Sequence, residues 1–333
     1  MARIAILSTA HIHTKQFVEN ILKATDGRKA VLVWDDVADR GKRYAEMAQA
    51  RFEPELGKAL AAADVDAFLI CAENTRHLSL LEKVLPLKKP VFCEKPIATH
   101  TGDLAAIAKL ARKTGTPLSS GYFQPFSGTM LAAAKLVQAG DLGKITRVKF
   151  RNAHNAAYGR WFDNPDLAWF TQPKLSGGGA FLDMGTHAVH LLRTLFGPVE
   201  CVWAEIGNHS GVYPACDDFG IAHFRFASGV LGTVEAAWTQ TGGIGGLEIT
   251  GASATLFNNG KEYVIGAPRV DPKPLEALPA KPDRMDRLVA LTRGEVPEAE
   301  WKADLDACFD AVAIVEAAYE SSKKGKWVKV RSV

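Results

Sequence analysis

No stretch of the chain approaches the roughly eighteen consecutive apolar residues that a membrane span needs. The opening Met1-Ala-Arg-Ile-Ala-Ile-Leu7 is too short for the apolar core of a signal peptide. Cysteine is scarce: Cys71, Cys93, Cys201, Cys216 and Cys308 make an odd number with no CxxC pair. That argues against a disulfide framework and for a reducing, cytoplasmic setting. Blocks of like charge are missing too. A net charge of +3 without a basic run excludes the usual nucleic-acid footprint. Repeats and low-complexity tracts are absent. What is present is an ordinary globular composition, 47% hydrophobic and 23% charged, in 333 residues that suffice for two domains.

Through the first third, short apolar runs alternate with amphipathic stretches. Ile4-Ala-Ile-Leu7, Val31-Leu-Val-Trp34, Ala67-Phe-Leu-Ile-Cys71, Val91-Phe-Cys93 and Leu118-Ser-Ser120 read as strands. The spacing predicts helices over 14–24, 37–50, 53–63, 77–85 and 101–113. Single-helix crossovers are right-handed and build a parallel sheet covered on both faces. The expected class is α/β, with a Rossmann-type doubly wound domain over 1–121. After Gly121 the rhythm changes. Helices over 127–139, 182–196 and 304–321 accompany successive strand-like runs over 145–154 and 200–265, an extended proline-rich stretch over 268–282 and a last strand over 326–330. This predicts an α+β domain over 122–333 with a predominantly antiparallel or mixed open sheet.

Two stretches carry chemistry. In Cys93-Glu94-Lys95-Pro96 a short strand runs into two charges and a proline, which cannot continue a ladder. Lys95 therefore stands at a strand's carboxyl end, where open sheets build ligand crevices, and its amine can serve an oxygen that gains or loses a proton. A solvated lysine in a charged loop is the plainer alternative. The second stretch is Ser176-Gly-Gly-Gly-Ala-Phe-Leu-Asp183-Met-Gly-Thr-His187-Ala-Val-His190. On a helix Asp183 and His187 share a face, and the glycines let backbone approach a ligand closely. Three readings fit: a helix-start carboxylate with a satisfied histidine, a metal site on Asp183, His187 and His190 that lacks a clear fourth ligand, or an acid/base pair.

Both stretches resemble the glucose–fructose oxidoreductase, inositol dehydrogenase and rhizopine-catabolism (Gfo/Idh/MocA) family. So do Asp66-Ala-Phe-Leu-Ile-Cys-Ala-Glu-Asn-Thr-Arg-His77, Gly140-Asp-Leu-Gly-Lys-Ile145 and Leu247-Glu-Ile-Thr-Gly251, so the similarity covers nearly the whole chain. The resemblance implies a Rossmann domain followed by a substrate and oligomer domain, and an enzyme that transfers hydride between a nicotinamide and a sugar or polyol carbon. It places Lys95, Asp183 and His187 at the catalytic positions and a cis bond at Lys95-Pro96. It puts the dinucleotide against the turn Ser8-Thr9-Ala10-His11-Ile12-His13, against Asp35, Asp36 and Arg40, against Cys71, Ala72, Asn74 and His77, and against Glu94, Lys95 and Pro96. Substrate is expected at Lys95, Tyr122, Gln124, Asp183 and His187. The aromatic and polar mixture of 151–169 adds His154, Trp161 and Trp169, although interface loops share that composition.

The resemblance further implies a homodimer or homotetramer formed through the C-terminal sheet. No metal, membrane or nucleic acid is expected. The acid at the end of the second strand favours NAD over NADP, because a carboxylate accepts from a ribose diol and repels a 2′-phosphate. Two features depart from the family. Ser8, Ala10 and His13 stand where a Gly-x-Gly-x-x-Gly turn is expected, with His11 and His13 free to touch phosphate or simply pave the helix start. Gln124 and His190 replace a common arginine and aspartate. Two other uses of the same fold stay open: a lyase or glycosidase acting through a transient keto sugar, and a silent dinucleotide-binding sensor.

Overall fold

The unbroken apolar runs of the N-terminal third become strands buried on both faces, as central parallel strands must be. In the computed structural model, which describes residues 2–331, six strands form one sheet: β1 (Arg3–Thr9), β2 (Lys29–Trp34), β3 (Arg51–Phe52), β4 (Ala67–Cys71), β5 (Val91–Cys93) and β6 (Leu118–Ser120). Their order is β3-β2-β1-β4-β5-β6 with every neighbouring pair parallel. The order reverses between β1 and β4, the kind of switch point where open sheets take ligands. Helices Thr14–Lys23, Ala38–Met47, Leu56–Ala61, His77–Val84 and Thr101–Thr114 make the crossovers. Phe17, Val18 and Ile21 of the first helix share a core with Ile4, Ile6, Leu69 and Phe92. The two-residue edge strand β3 is too short to show a pattern in sequence.

The chain forms two compact units, and neither is continuous. One holds the chain up to Tyr122 together with Phe162–Gly177 and Pro282–Phe309; the other holds Phe123–Trp161, Gly178–Lys281 and the chain from Asp310 onward. The sequence places a single boundary after residue 121, whereas the structure returns the chain to the first unit twice. Helix Arg284–Thr292, which the sequence did not announce, adds Met285, Leu288 and Val289 to the core of Ile6 and Phe92. On that helix the buried Arg287 meets Glu300 at 3.2 Å and Asp304 at 3.7 Å. Burial pushes the Asp304 carboxyl up to about 6, with Arg287 opposing and Glu300 assisting.

The second unit is built on nine strands: β7 (Ile145–Ala153), β8 (Val199–Gly207), β9 (Phe219–Phe226), β10 (Leu231–Ala237), β11 (Gly246–Gly251), β12 (Thr255–Asn258), β13 (Tyr263–Ala267), β14 (Val270–Pro274) and β15 (Val328–Lys329). Their order is β14-β13-β12-β11-β7-β10-β9-β8-β15, and among the described residues only the β7–β10 pair is parallel. Period-two alternation sorts the faces. Gly220, Ala222, Phe224 and Phe226 of β9 are buried, as are Val148 and Phe150 of β7. Arg147, Lys149, His223 and Arg225 occupy the opposite face and line a cavity of about 590 Å³ with Leu231, Thr233, Glu248 and Trp327. Helix Thr186–Phe196 packs on β7 and β10. That packing sets the position of the candidate site.

Candidate functional site

In the first unit, Ser8, one residue before the end of β1, has a φ of +63°, the left-handed conformation that glycine usually supplies. Holding it with a side chain costs about 1–2 kcal/mol. Asp35, at the end of β2, ties the next residue down: its Oδ2 accepts from Thr9 N at 2.7 Å and Thr9 Oγ1 at 2.5 Å. The same carboxylate accepts two bonds from Arg40, at 2.9 and 2.8 Å, and one from Val37 N at 2.8 Å. Asp35 is 2% exposed, so all its acceptor capacity lies inside the protein. It is a brace between β1, β2 and the following helix, not a ribose acceptor at the surface. The sequence identifies the acid at the strand end but cannot show which way it turns. Asp36 is the presented carboxylate, 38% exposed and 2.6 Å from Arg76. Burial works against ionisation of Asp36, yet Arg76 and Arg40 hold it below the usual range.

The imidazoles of the β1 turn face a carboxylate. His13 Nδ1 is 3.0 Å and His11 Nδ1 3.7 Å from Oε1 of Glu94, which is fully buried at the end of β5. Burial alone would raise this carboxyl, but His11, His13 and Lys95 beside it keep it well below the ordinary range. Trp169, expected at the substrate, belongs to this neighbourhood instead. Its indole N–H donates to the Ala10 carbonyl at 3.0 Å and its ring faces His11, because a buried indole needs an acceptor. Lys95 is buried and is joined to Pro96 by a cis bond. His77 bridges the Pro96 carbonyl at 2.9 Å and the Ala72 carbonyl at 3.2 Å. Burial lowers the His77 pKa, with those carbonyls opposing. Asn74 donates to Ser176 O at 2.8 Å. Burial pushes the Cys71 thiol well up, which leaves it inert. Tyr122 is buried at 2% exposure.

The glycines at 177–179 make a close approach, but to the protein's own chain. A Cβ at Gly178 would stand 2.7 Å from Tyr319 Oη, and one at Gly179 would stand 2.0 Å from the Asp217 carbonyl oxygen. Four successive backbone donors follow from this packing. Gly179 N (2.9 Å) and Phe181 N (2.7 Å) donate to the Asp217 carboxylate, Ala180 N (2.9 Å) to the Asp217 carbonyl and Leu182 N (3.1 Å) to Tyr319 Oη. Tyr319 Oη in turn donates to Asp217 Oδ1 at 2.8 Å. The orphan N–H groups of a helix start are thus capped from 36 and 137 residues away. Burial raises the Asp217 carboxyl, with these donors opposing.

The capped segment opens with a π turn, Phe181–Gly185, before Thr186–Phe196. Asp183 lies on the turn and His187, 6% exposed, on the helix. Asp183 Oδ2 accepts from Nε1 of the fully buried Trp238 at 2.9 Å. Trp238, Asp217 and Tyr319 are missing from the sequence reading, since nothing local in the sequence links them to residue 183. Asn152 of β7 donates to Met184 O at 2.7 Å. Beside it, a cavity of about 420 Å³ is lined by Phe123, Gln124, Phe150, Arg151, Asn152 and Tyr263, among others. Gln124 Oε1 is buried there without a hydrogen-bond partner among the described residues. His154 and Trp161 stack at 4.8 Å, with the indole 41% exposed.

Residues 2–122 match the description "Oxidoreductase family, NAD-binding Rossmann fold", and residues 130–257 match "GFO/IDH/MocA C-terminal domain". The chain belongs to the Gfo/Idh/MocA family. Among curated relatives, myo-inositol 2-dehydrogenase of Thermotoga maritima is 27% identical over 61% of this chain and 59% of its own length. The 2,7-anhydro-N-acetylneuraminate hydratase of Escherichia coli is 27% identical over 63% of this chain and 55% of its own. The matched stretch therefore spans somewhat over half of these two relatives. An inositol dehydrogenase homolog from Azotobacter vinelandii, solved with NAD+, superposes with a TM-score of 0.85 at 17% identity, over 98% of this chain and 97% of that one.

Against the glycine turn expected of a Gfo/Idh/MocA protein, the chain keeps the left-handed turn with Ser8 and the small side chain with Ala10. At His13 it substitutes an imidazole bonded to Glu94. The fold is the family's, with the parallel sheet followed by the mixed one.

Proposed function

We propose that the protein transfers hydride between a nicotinamide and a secondary alcohol or ketone carbon of a sugar or polyol, with Lys95, Asp183 and His187 as its catalytic residues. The observation that carries the reading is the capped turn that presents Asp183 under the Trp238 indole. A carboxylate with one oxygen anchored in this way is oriented for work on an imidazole or a substrate, not left to wander in solvent. In this reading His187 takes the hydroxyl proton, Asp183 orients it, and the Lys95 ammonium stabilises the developing alkoxide. The bound cofactor supplies the hydride acceptor. The first unit holds it through the backbone of the Ser8–His13 turn and through Asp36 on the ribose, in place of Asp35. The second unit supplies the substrate pocket, including the Gln124 cavity, and the open face of its sheet joins copies of the chain. All five cysteines are free, which supports a cytoplasmic setting.

The test screens sugars, polyols and their keto forms for nicotinamide absorbance change, with wild type, Lys95→Ala and His187→Ala. Each variant should lose roughly two to four powers of ten in kcat, and the double variant much less than the product, because groups acting as a unit are not additive. Near-normal turnover in either single variant refutes the assignment. The hydratase relative favours one second reading, elimination through a transient keto sugar. Turnover without added cofactor on a stoichiometric, unreleased NAD would select it.

A further inference from the structure

We propose that His11, His13 and Glu94 form a binding site for a divalent transition-metal ion of the zinc type. The inference stands apart from the dehydrogenase reading. The three side chains offer two imidazole nitrogens and one carboxylate oxygen, with all three donor atoms within 4.8 Å of one another. Both imidazoles reach the same oxygen: Glu94 Oε1 lies 3.0 Å from His13 Nδ1 and 3.7 Å from His11 Nδ1. In a tetrahedral zinc site with bonds of about 2.0–2.1 Å, neighbouring donors stand about 3.3 Å apart. Small rotations therefore suffice to seat the ion.

The surroundings hold the donors in place, as the outer shell of a metal site does. Glu94 Oε2 accepts from Lys95 N at 2.9 Å, which leaves Oε1 to the imidazoles. A Cβ at Gly121 would fall 2.4 Å from Oε2, so glycine there keeps room for the carboxylate. The His11 carbonyl accepts from Thr14 N at 3.0 Å and Thr14 Oγ1 at 2.7 Å, and the His11 ring packs 5.4 Å from that of Phe170. Backbone N of His13 donates to His11 Nδ1 at a long 3.3 Å, so Nδ1 is the unprotonated nitrogen, and an ion would take its lone pair over from that weak bond. The His13 side chain is 28% exposed and gives an ion its way in. Two neutral imidazoles and one carboxylate are the ligand set of an open zinc site, with a fourth position left for water or another oxygen.

Nucleotide-free protein stripped with a chelator is titrated with Co2+ and then with Zn2+. One equivalent of Co2+ should bind with the visible absorption of a tetrahedral ion, and Zn2+ should bleach it. His13→Ala, at the accessible ligand, and Glu94→Gln, of the same shape, should each weaken binding roughly a hundredfold or more, the upper end of what losing even an outer-shell partner costs. X-ray absorption on zinc-loaded wild type reads the ligands without any variant and should show two imidazoles with oxygen. Absence of the cobalt band, unchanged affinity in His13→Ala, or sulfur in the zinc shell would each overturn the site.

Discussion

Asp217→Ala is the most informative single change in this protein. Asp217 lies 34 residues beyond Asp183 in sequence, yet its carboxylate accepts from Gly179 N, Phe181 N and Tyr319 Oη at 2.9, 2.7 and 2.8 Å. Truncation leaves Phe181 N and the Tyr319 hydroxyl without this acceptor and Gly179 N with only its longer bond to Tyr319 Oη at 3.3 Å, in a half-buried place. Each such group costs about 1–3 kcal/mol, and entering water recovers part of it, so the expected loss is about 3–5 kcal/mol. Tyr319→Phe removes one donor to Asp217 and the acceptor of Leu182 N and should cost about 1–2 kcal/mol. Asp217→Asn keeps one acceptor oxygen and should fall between the two. Urea unfolding of the three variants and of the Asp217→Ala/Tyr319→Phe double variant measures these losses. The double variant should be less destabilised than the sum by about 1 kcal/mol, because both residues serve one network. A loss below about 0.5 kcal/mol in Asp217→Ala, or strict additivity, would show that water satisfies the groups the carboxylate releases and that the cap is incidental.

Trp238→Phe removes the indole donor from Asp183 while keeping an aromatic ring; kcat should fall about tenfold or more with cofactor affinity unchanged, as steady-state kinetics and nucleotide titration will show. Asp35→Ala should destabilise the protein by about 3–5 kcal/mol in urea, since it strips the buried Arg40 of its bidentate partner, whereas Asp36→Ser should leave stability nearly unchanged and shift kcat/KM toward NADP by about tenfold or more. Asp304 gives a pH signature. Its carboxyl is raised from 3.8 to about 6 in the folded protein, so the folded state binds the extra proton and stability falls as pH rises through that window. Relative to wild type, Asp304→Asn should gain about 2 kcal/mol between pH 4 and pH 6.5 in urea unfolding, at about 1.36 kcal/mol per pK unit.

The sequence made the parallel sheet legible because strands buried on both faces show as unbroken apolar runs, as residues 4–7 of β1 and Ala67–Cys71 of β4 do. It made Lys95, Asp183 and His187 legible because each sits in a local motif. What it could not show was partnership across the chain. Asp35 reads as a ribose acid until its five donors are seen, and the glycines at 177–179 read as room for a ligand until Asp217 and Tyr319 are found against them. Trp169 reads as a sugar-stacking ring until its N–H is traced to Ala10. In each case the residue type was right for a ligand, and a residue distant in sequence already filled that role. Segments such as 162–177 and 282–309 escaped for the same reason. Their amphipathic patterns say that they bury a face but not which core receives it.

The return of Pro282–Phe309 to the first unit has a consequence for how the protein is made. Met285, Leu288 and Val289 complete the core that Phe17 and Phe92 begin, so on the ribosome that core stays open until the chain has grown from Tyr122 past Phe309. Those 187 residues take roughly ten to forty seconds at about 5–20 residues per second. During that interval the apolar flank of the parallel sheet is exposed while the second unit is being synthesised between its parts. The N-terminal third, although it contains every strand of its sheet, is therefore an obligate waiting partner. Expressed alone to residue 122, it should aggregate, and adding 282–309 in trans should be what rescues it.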